Sequence, residues 1–145
     1  MMLSAILKNK PANVISVAPE TTITQVVKLL GEKRIGAVLV IDAHDKLVGI
    51  LSERDIVRTL NTHAAATLSM TAAQLMTPSP TVTSPEATVV DAMQVMTDGR
   101  FRHLPVVSDG KLVGLVSIGD VVKARIDQQA HEVDSLRAYV VGAVA

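Results

Sequence analysis

The chain has no cysteine and no tryptophan, and Phe101 and Tyr139 make up its aromatic content. Without cysteine there can be no disulfide, no thiolate nucleophile and none of the common structural zinc sites. A reducing cytoplasm suits such a composition and is the expected compartment. Two aromatics are too few for a base-stacking platform on single-stranded nucleic acid. An excess of charge is missing as well: Lys+Arg and Asp+Glu number 14 each. No bulk field therefore draws the protein to nucleic acid. No run approaches the roughly 20 apolar residues of a membrane span. Residues 1–10 hold only a short apolar stretch without a cleavage-site pattern, so neither a membrane segment nor a signal peptide is expected. The sequence offers no Gly-rich phosphate loop, no Ser/His/Asp set and no metal box. Hence no catalytic residue, no metal ligand and no catalytic cofactor are expected. His44 falls in a turn, His63 in a linker and His131 in a tail, with no metal-ligand spacing among them.

What is present is aliphatic. Hydrophobic residues make up 48% of the 145, and mean hydropathy is +0.36. The core must be built from Val, Ile, Leu, Ala and Met, in one compact domain or two very small ones. An internal repeat decides between these. Pro19-Glu20-Thr21-Thr22-Ile23 returns as Pro85-Glu86-Ala87-Thr88-Val89. Lys46-Leu47-Val48-Gly49-Ile50-Leu51-Ser52 returns as Lys111-Leu112-Val113-Gly114-Leu115-Val116-Ser117. The second spacing is one residue shorter, and the loss falls where Ala43-His44-Asp45 faces Asp109-Gly110, in a turn that tolerates it. Repeat one is placed at 4–62, repeat two at 69–128 and a helical tail at 129–145.

Each copy reads β-α-β-β-α. Short β segments at 13–17 and 80–83 lead into helices with Thr22 and Thr88 as N-caps and Gln25 and Asp91 three residues on. Ile23, Val26, Val27 and Leu30, and likewise Val89, Ala92, Met93 and Met96, form one buried face per helix. Strands are expected at 35–41 and 47–51, and at 101–107 and 112–116, before second helices that begin near Ser52 and Ser117. The fold class is therefore α/β (α+β), with two repeats related by pseudo-twofold symmetry and their sheets facing each other. A unit this small does not bury its sheet alone. Two facing units leave two equivalent clefts.

Gly49-Ile50-Leu51-Ser52-Glu53-Arg54-Asp55 and Gly114-Leu115-Val116-Ser117-Ile118-Gly119-Asp120 both fit Gly-apolar-apolar-Ser-x-x-Asp. With Arg102-His103-Leu104-Pro105-Val106-Val107 upstream, the duplication resembles a tandem cystathionine-β-synthase (CBS) domain pair, a Bateman module of the stand-alone bacterial type. The resemblance implies a regulatory or sensor function without catalysis. It implies AMP, ADP, ATP, NAD or S-adenosylmethionine in the inter-repeat clefts, the motif Asp on ribose hydroxyls and the Ser near ribose or phosphate. One cleft would then use Ser117 and Asp120 with Ile15, Ile35 and Gly36. The other would use Ser52, Arg54 and Asp55 with Thr81, Phe101, Arg102 and His103.

The chemistry of these residues agrees with such roles. An ionised carboxylate accepts two hydrogen bonds, which suits a ribose diol. A strand-to-helix junction gathers free N–H groups and positive dipole, which suits phosphate. Ser-x-x-Asp at a helix start is also an ordinary capping box, and both roles can hold. Arg54, Arg102 and His103 make the Asp55 cleft the cation-rich one and leave the Asp120 cleft poor in cations. A homodimer of four repeats is expected, with a possible unknown protein partner. Leu136, Tyr139 and Val140 could dock the tail on a neighbouring subunit or on its own module. The alternative function is an assembly module that dimerises and binds a protein partner without nucleotide.

Overall fold

A computed structural model of the chain describes residues 1–10 and 14–144, except for the side chains of 143 and 144. The chain forms two compact units: Asn13–Thr81, and Met1–Ala12 with Val82–Ala145. Helices and strands alternate in both, which is the mixed class expected.

The first unit holds a four-stranded sheet in the order β1 (Ser16–Val17), β2 (Ala37–Ile41), β3 (Leu47–Ser52), β4 (Thr77–Pro78). β1 pairs parallel with β2, and the other pairings are antiparallel. Helix α2 (Ile23–Lys33) starts at a reciprocal capping box between Thr22 and Gln25 and ends on Arg34 in the left-handed region. The α2 face is narrower than its periodicity suggests. Ile23, Val26 and Leu30 are buried, whereas Val27 is 42% exposed. Val27 lies at the rim of an i, i+3, i+7 stripe, where a β-branched residue is only partly covered. Helix α3 (Glu53–His63), a 3-10 helix over Ala64–Ser69 and the short α4 (Ala72–Leu75) complete this unit. Its core joins Ile23, Val26 and Leu30 to Val38, Val40, Leu51, Ile56, Ala72 and Leu75.

In the second unit α5 (Val89–Gly99) repeats the design of α2, with a Thr88–Asp91 capping box and Arg100 left-handed at its end. β5 (His103–Ser108) pairs antiparallel with β6 (Lys111–Ser117), and α6 (Ile118–Val144) follows without a break. The core here is Leu3, Ile6, Val89, Ala92, Met96, Leu104, Val106, Val116, Val121 and Ala124. The two hairpins share a register shift, after Val40 and after Val106, and differ in their turns. Asp109 and Gly110 have φ of 52 and 76°, the two positive values of a tight hairpin turn. In the longer loop, Asp42 accepts N–H bonds from His44 and Lys46 at 2.9 and 3.0 Å. The inserted residue therefore lies in the turn, as the repeat spacing implies.

Four features depart from the sequence reading. Asn13 lies outside the described residues, and β1 covers only Ser16–Val17 of the expected 13–17. No strand forms over 80–83. Thr83 makes an isolated parallel bridge to Val106, since Pro80 and Pro85 have no N–H to extend a ladder. The expected tail is not separate: 129–144 continues α6. Finally, residues 3–8 form a helix, α1 (Leu3–Lys8), which packs on β6 and α6 rather than opening repeat one.

That placement of α1 has a counterpart in α4. The N–H groups of Leu3 and Ser4 donate to the carbonyls of Ala87 and Pro85, each at 2.9 Å. Those of Ala72 and Ala73 donate to Thr21 and Pro19 at 2.8 and 2.9 Å. Each repeat is thus preceded in sequence by a short helix that belongs to the core of the other one.

Candidate functional site: two strand-to-helix junctions

The sheet in each unit delivers a serine and an aspartate to the same place. β3 ends on Ser52 and α3 begins, with the Ser52 N–H and Oγ donating to Asp55 Oδ2 at 2.9 and 3.0 Å. Asp55 N–H donates back to Ser52 Oγ at 3.4 Å. β6 ends on Ser117, whose N–H donates to Asp120 Oδ2 at 2.8 Å, and Asp120 N–H returns to Ser117 Oγ at 3.1 Å. Both motifs are therefore working capping boxes. In both, the second carboxylate oxygen, Oδ1, takes no hydrogen bond among the described residues. The next N–H of each helix is tied to the strand-entry turn: Glu53 donates to the Gly36 carbonyl at 2.9 Å and Ile118 to the Arg102 carbonyl at 2.7 Å. That turn is set by Arg34 and Arg100. Their left-handed backbones let Ile35 and Phe101 donate back to the helix carbonyls of Leu30 and Met96, both at 3.2 Å.

Each unit thus carries part of each expected residue set. In Asn13–Thr81, Gly36 lies beside the Ser52–Asp55 junction, and Ile35 precedes it, half-buried. Ile15 is half-buried and its carbonyl accepts from Leu39 at 3.2 Å, one strand away. Arg54 is exposed on the first turn of α3, and Thr81 is exposed at the end of the unit. In the other unit, Arg102 is brought to the Ser117–Asp120 junction by its carbonyl, with its side chain exposed. Phe101 packs against the core, and His103 is half-buried at the start of β5.

Lys10 is the residue that sequence reasoning missed. Its Nζ lies 2.6 Å from Asp120 Oδ2 and donates to the Leu115 carbonyl at 2.8 Å. The contact overturns the reading of Asp120 as the cation-poor carboxylate. Arg54, Arg102 and His103 adjoin the motifs, whereas Lys10 arrives from beyond the end of α1, far away in sequence. Only knowledge that α1 packs on β6 reveals it. Burial of Asp120 alone would raise its pKa. The Lys10 hydrogen bond, the Ser117 N–H and the ammonium charge outweigh that burial and hold it below the ordinary aspartate value. Asp55 has no ion pair among the described residues.

The glycine of each motif also has a physical reason. A Cβ on Gly114 would stand 2.5 Å from Leu7 Cδ2, and one on Gly49 would collide with the Met76 side chain. Leu7 lies on α1 and Met76 caps α4, so the bare glycine backbone is where each exchanged helix seats.

The CBS domain model matches the chain twice, over residues 8–62 and 72–127. A mitochondrial CBS domain-containing protein of Arabidopsis thaliana is 38% identical over 128 residues. That alignment covers 85% of this chain and 62% of the relative, so the chain spans about three fifths of it. The crystal structure of a CBS-domain containing protein from Agrobacterium tumefaciens is 39% identical, with a TM-score of 0.83, covering 86% of this chain and 92% of the other. The Arabidopsis thaliana CBS-pair protein CBSX2, solved in complex with AMP, is 30% identical with a TM-score of 0.73, covering 87% and 97%. With both repeats matched and both motifs at the same strand-to-helix junction, the chain belongs to the CBS domain family, as a tandem pair of CBS repeats.

Proposed function

We propose that this protein is a non-catalytic regulatory module that binds adenine nucleotides through Asp55 and Asp120. The observation that carries the reading is the duplicated junction. Each carboxylate is oriented through Oδ2 by a serine N–H and presents Oδ1 without a protein hydrogen bond. A ribose diol donates two hydrogen bonds, and the two lone pairs of an open carboxylate oxygen can accept them. The AMP complex of CBSX2 supports an adenine nucleotide as the ligand class. Arg54, Arg102 and His103 are the groups this reading assigns to phosphate.

Lys10 makes the two sites chemically unequal. At Asp120 its ammonium sits on Oδ2, leaves Oδ1 open, and offers charge to a phosphate. Nucleotides should therefore outbind adenosine at Asp120 as well as at Asp55. A ligand restricted to the native state adds about 2.7 kcal/mol of stability at a hundredfold excess over Kd. Thermal melts with AMP, ADP, ATP, NAD and S-adenosylmethionine are expected to rise for at least one of them. Asp55→Ala and Asp120→Ala should each remove one binding event in isothermal titration. Flat melts with all five at millimolar concentration, on protein freed of bound nucleotide, would leave the assembly-module reading in place.

A further inference from the structure

Helix α6 runs on well past the last residues that it packs inward. Along its first turns one face packs inward: Val121 and Ala124 are buried, and Arg125 and Gln128 are half-buried. From Gln129 to Gly142 every residue is exposed. Through both stretches runs a second stripe, alternately four and three residues apart: Val122, Ile126, Gln129, Val133, Leu136, Val140. Its apolar members remain open, from 39% at Val122 to 62% at Leu136. At roughly 100° per residue, the stripe lies about a quarter turn or more from the inward face, so both faces can be covered at once. A spacing of 3.5 is that of a coiled-coil seam and narrower than the face a helix turns to a globular core.

We propose that this seam pairs in parallel with the same seam of a second copy of this chain, as a two-stranded coiled coil. The composition selects that occupant. Ile126, Val133 and Val140 hold one seam position, all β-branched, and Val122, Gln129 and Leu136 hold the other; β-branched residues at the first, with leucine as at Leu136 in the second, favour two parallel strands. Gln129 is the single polar seam residue, and only in register does its side-chain amide meet the same amide of the second copy. The flanks are self-complementary. Glu132 precedes Val133, and Arg137 follows Leu136. In a parallel pair those two positions face each other across the seam, so Glu132 of one copy meets Arg137 of the other, twice by symmetry. An antiparallel pair would set like positions against each other.

The absence of cysteine from the chain gives a clean test. Leu136→Cys and Gln129→Cys, each made alone in the full chain, should form disulfide-linked dimers under mild oxidation. Ala138→Cys, on the opposite side of the helix, should not. Cross-linking at both seam layers requires parallel, in-register strands, because disulfides bridge only Cα atoms within about 7 Å. In the Leu136→Cys background, Glu132→Arg alone and Arg137→Glu alone should lose the cross-link, and mixing the two proteins should restore it. No cross-link at 129 and 136 would overturn the proposal. Cross-linking at 136 alone, or equally at 138, would also overturn it, as would a mass of 15.3 kDa for the unmodified chain at tens of micromolar.

Discussion

Asp55 and Asp120 occupy the same position in two copies of one motif, yet among the described residues only Asp120 is tied to an ammonium, that of Lys10. The pair is partly exposed, with side chains 33% and 27% accessible, so solvent screens it and its value lies in the site rather than in global stability. Its pH signature is nonetheless defined. The folded-state pKa of Asp120 is below the ordinary 3.8. Its contribution to stability is therefore complete above the unfolded-state value and is lost as pH falls through the lower folded one. Lys10→Met removes the opposing charge and leaves burial to push the carboxyl upward. The Asp120 carboxyl carbon, followed by NMR, should then titrate at higher pH, and the acid unfolding limb should begin earlier. A titration unchanged by Lys10→Met would show that the serine N–H alone sets the acidity of Asp120.

At the scale of elements, the motif glycines do more than mark a strand. Gly114→Val would press a branched side chain into Leu7, displace α1 and destabilise the unit by about 1–3 kcal/mol. Chemical denaturation should show that loss, and amide exchange at Leu3 and Ser4 should quicken; unchanged protection would mean that α1 seats by other contacts. Much of this level was legible in the sequence. The capping residues Thr22 and Thr88, the hairpins and the turn insertion follow from local chemistry that a repeat doubles and so makes visible. The Ser-x-x-Asp junctions were readable for the same reason. Most of the misses have one physical origin. Val27, α1 and Lys10 each depend on what the segment meets in three dimensions, whereas the missing strand at 80–83 follows from the prolines that flank it. Neither a four-residue α4 nor a six-residue α1 carries a periodicity that could betray it.

The whole molecule rests on two separate aliphatic cores, each assembled from distant stretches of chain. Leu104, fully buried among Leu3, Val89 and Val116, is a central member of the second core. Leu104→Ala should cost about 2–5 kcal/mol in denaturant unfolding. A loss below 1 kcal/mol would mean the cavity is refilled, with Met96 the adaptable neighbour. The exchanged helices also impose an order of assembly on a chain made from its N-terminus. Helix α1 is synthesised before either repeat, yet the carbonyl of Ala87 and the side chains of Val89 and Leu104 that hold it emerge only with the second repeat. Six residues do not sustain a helix in water. Repeat one can close once Pro78 has left the ribosome, while its own leading segment waits unfolded for partners not yet translated. A segment made ahead of both repeats is thus among the last to fold.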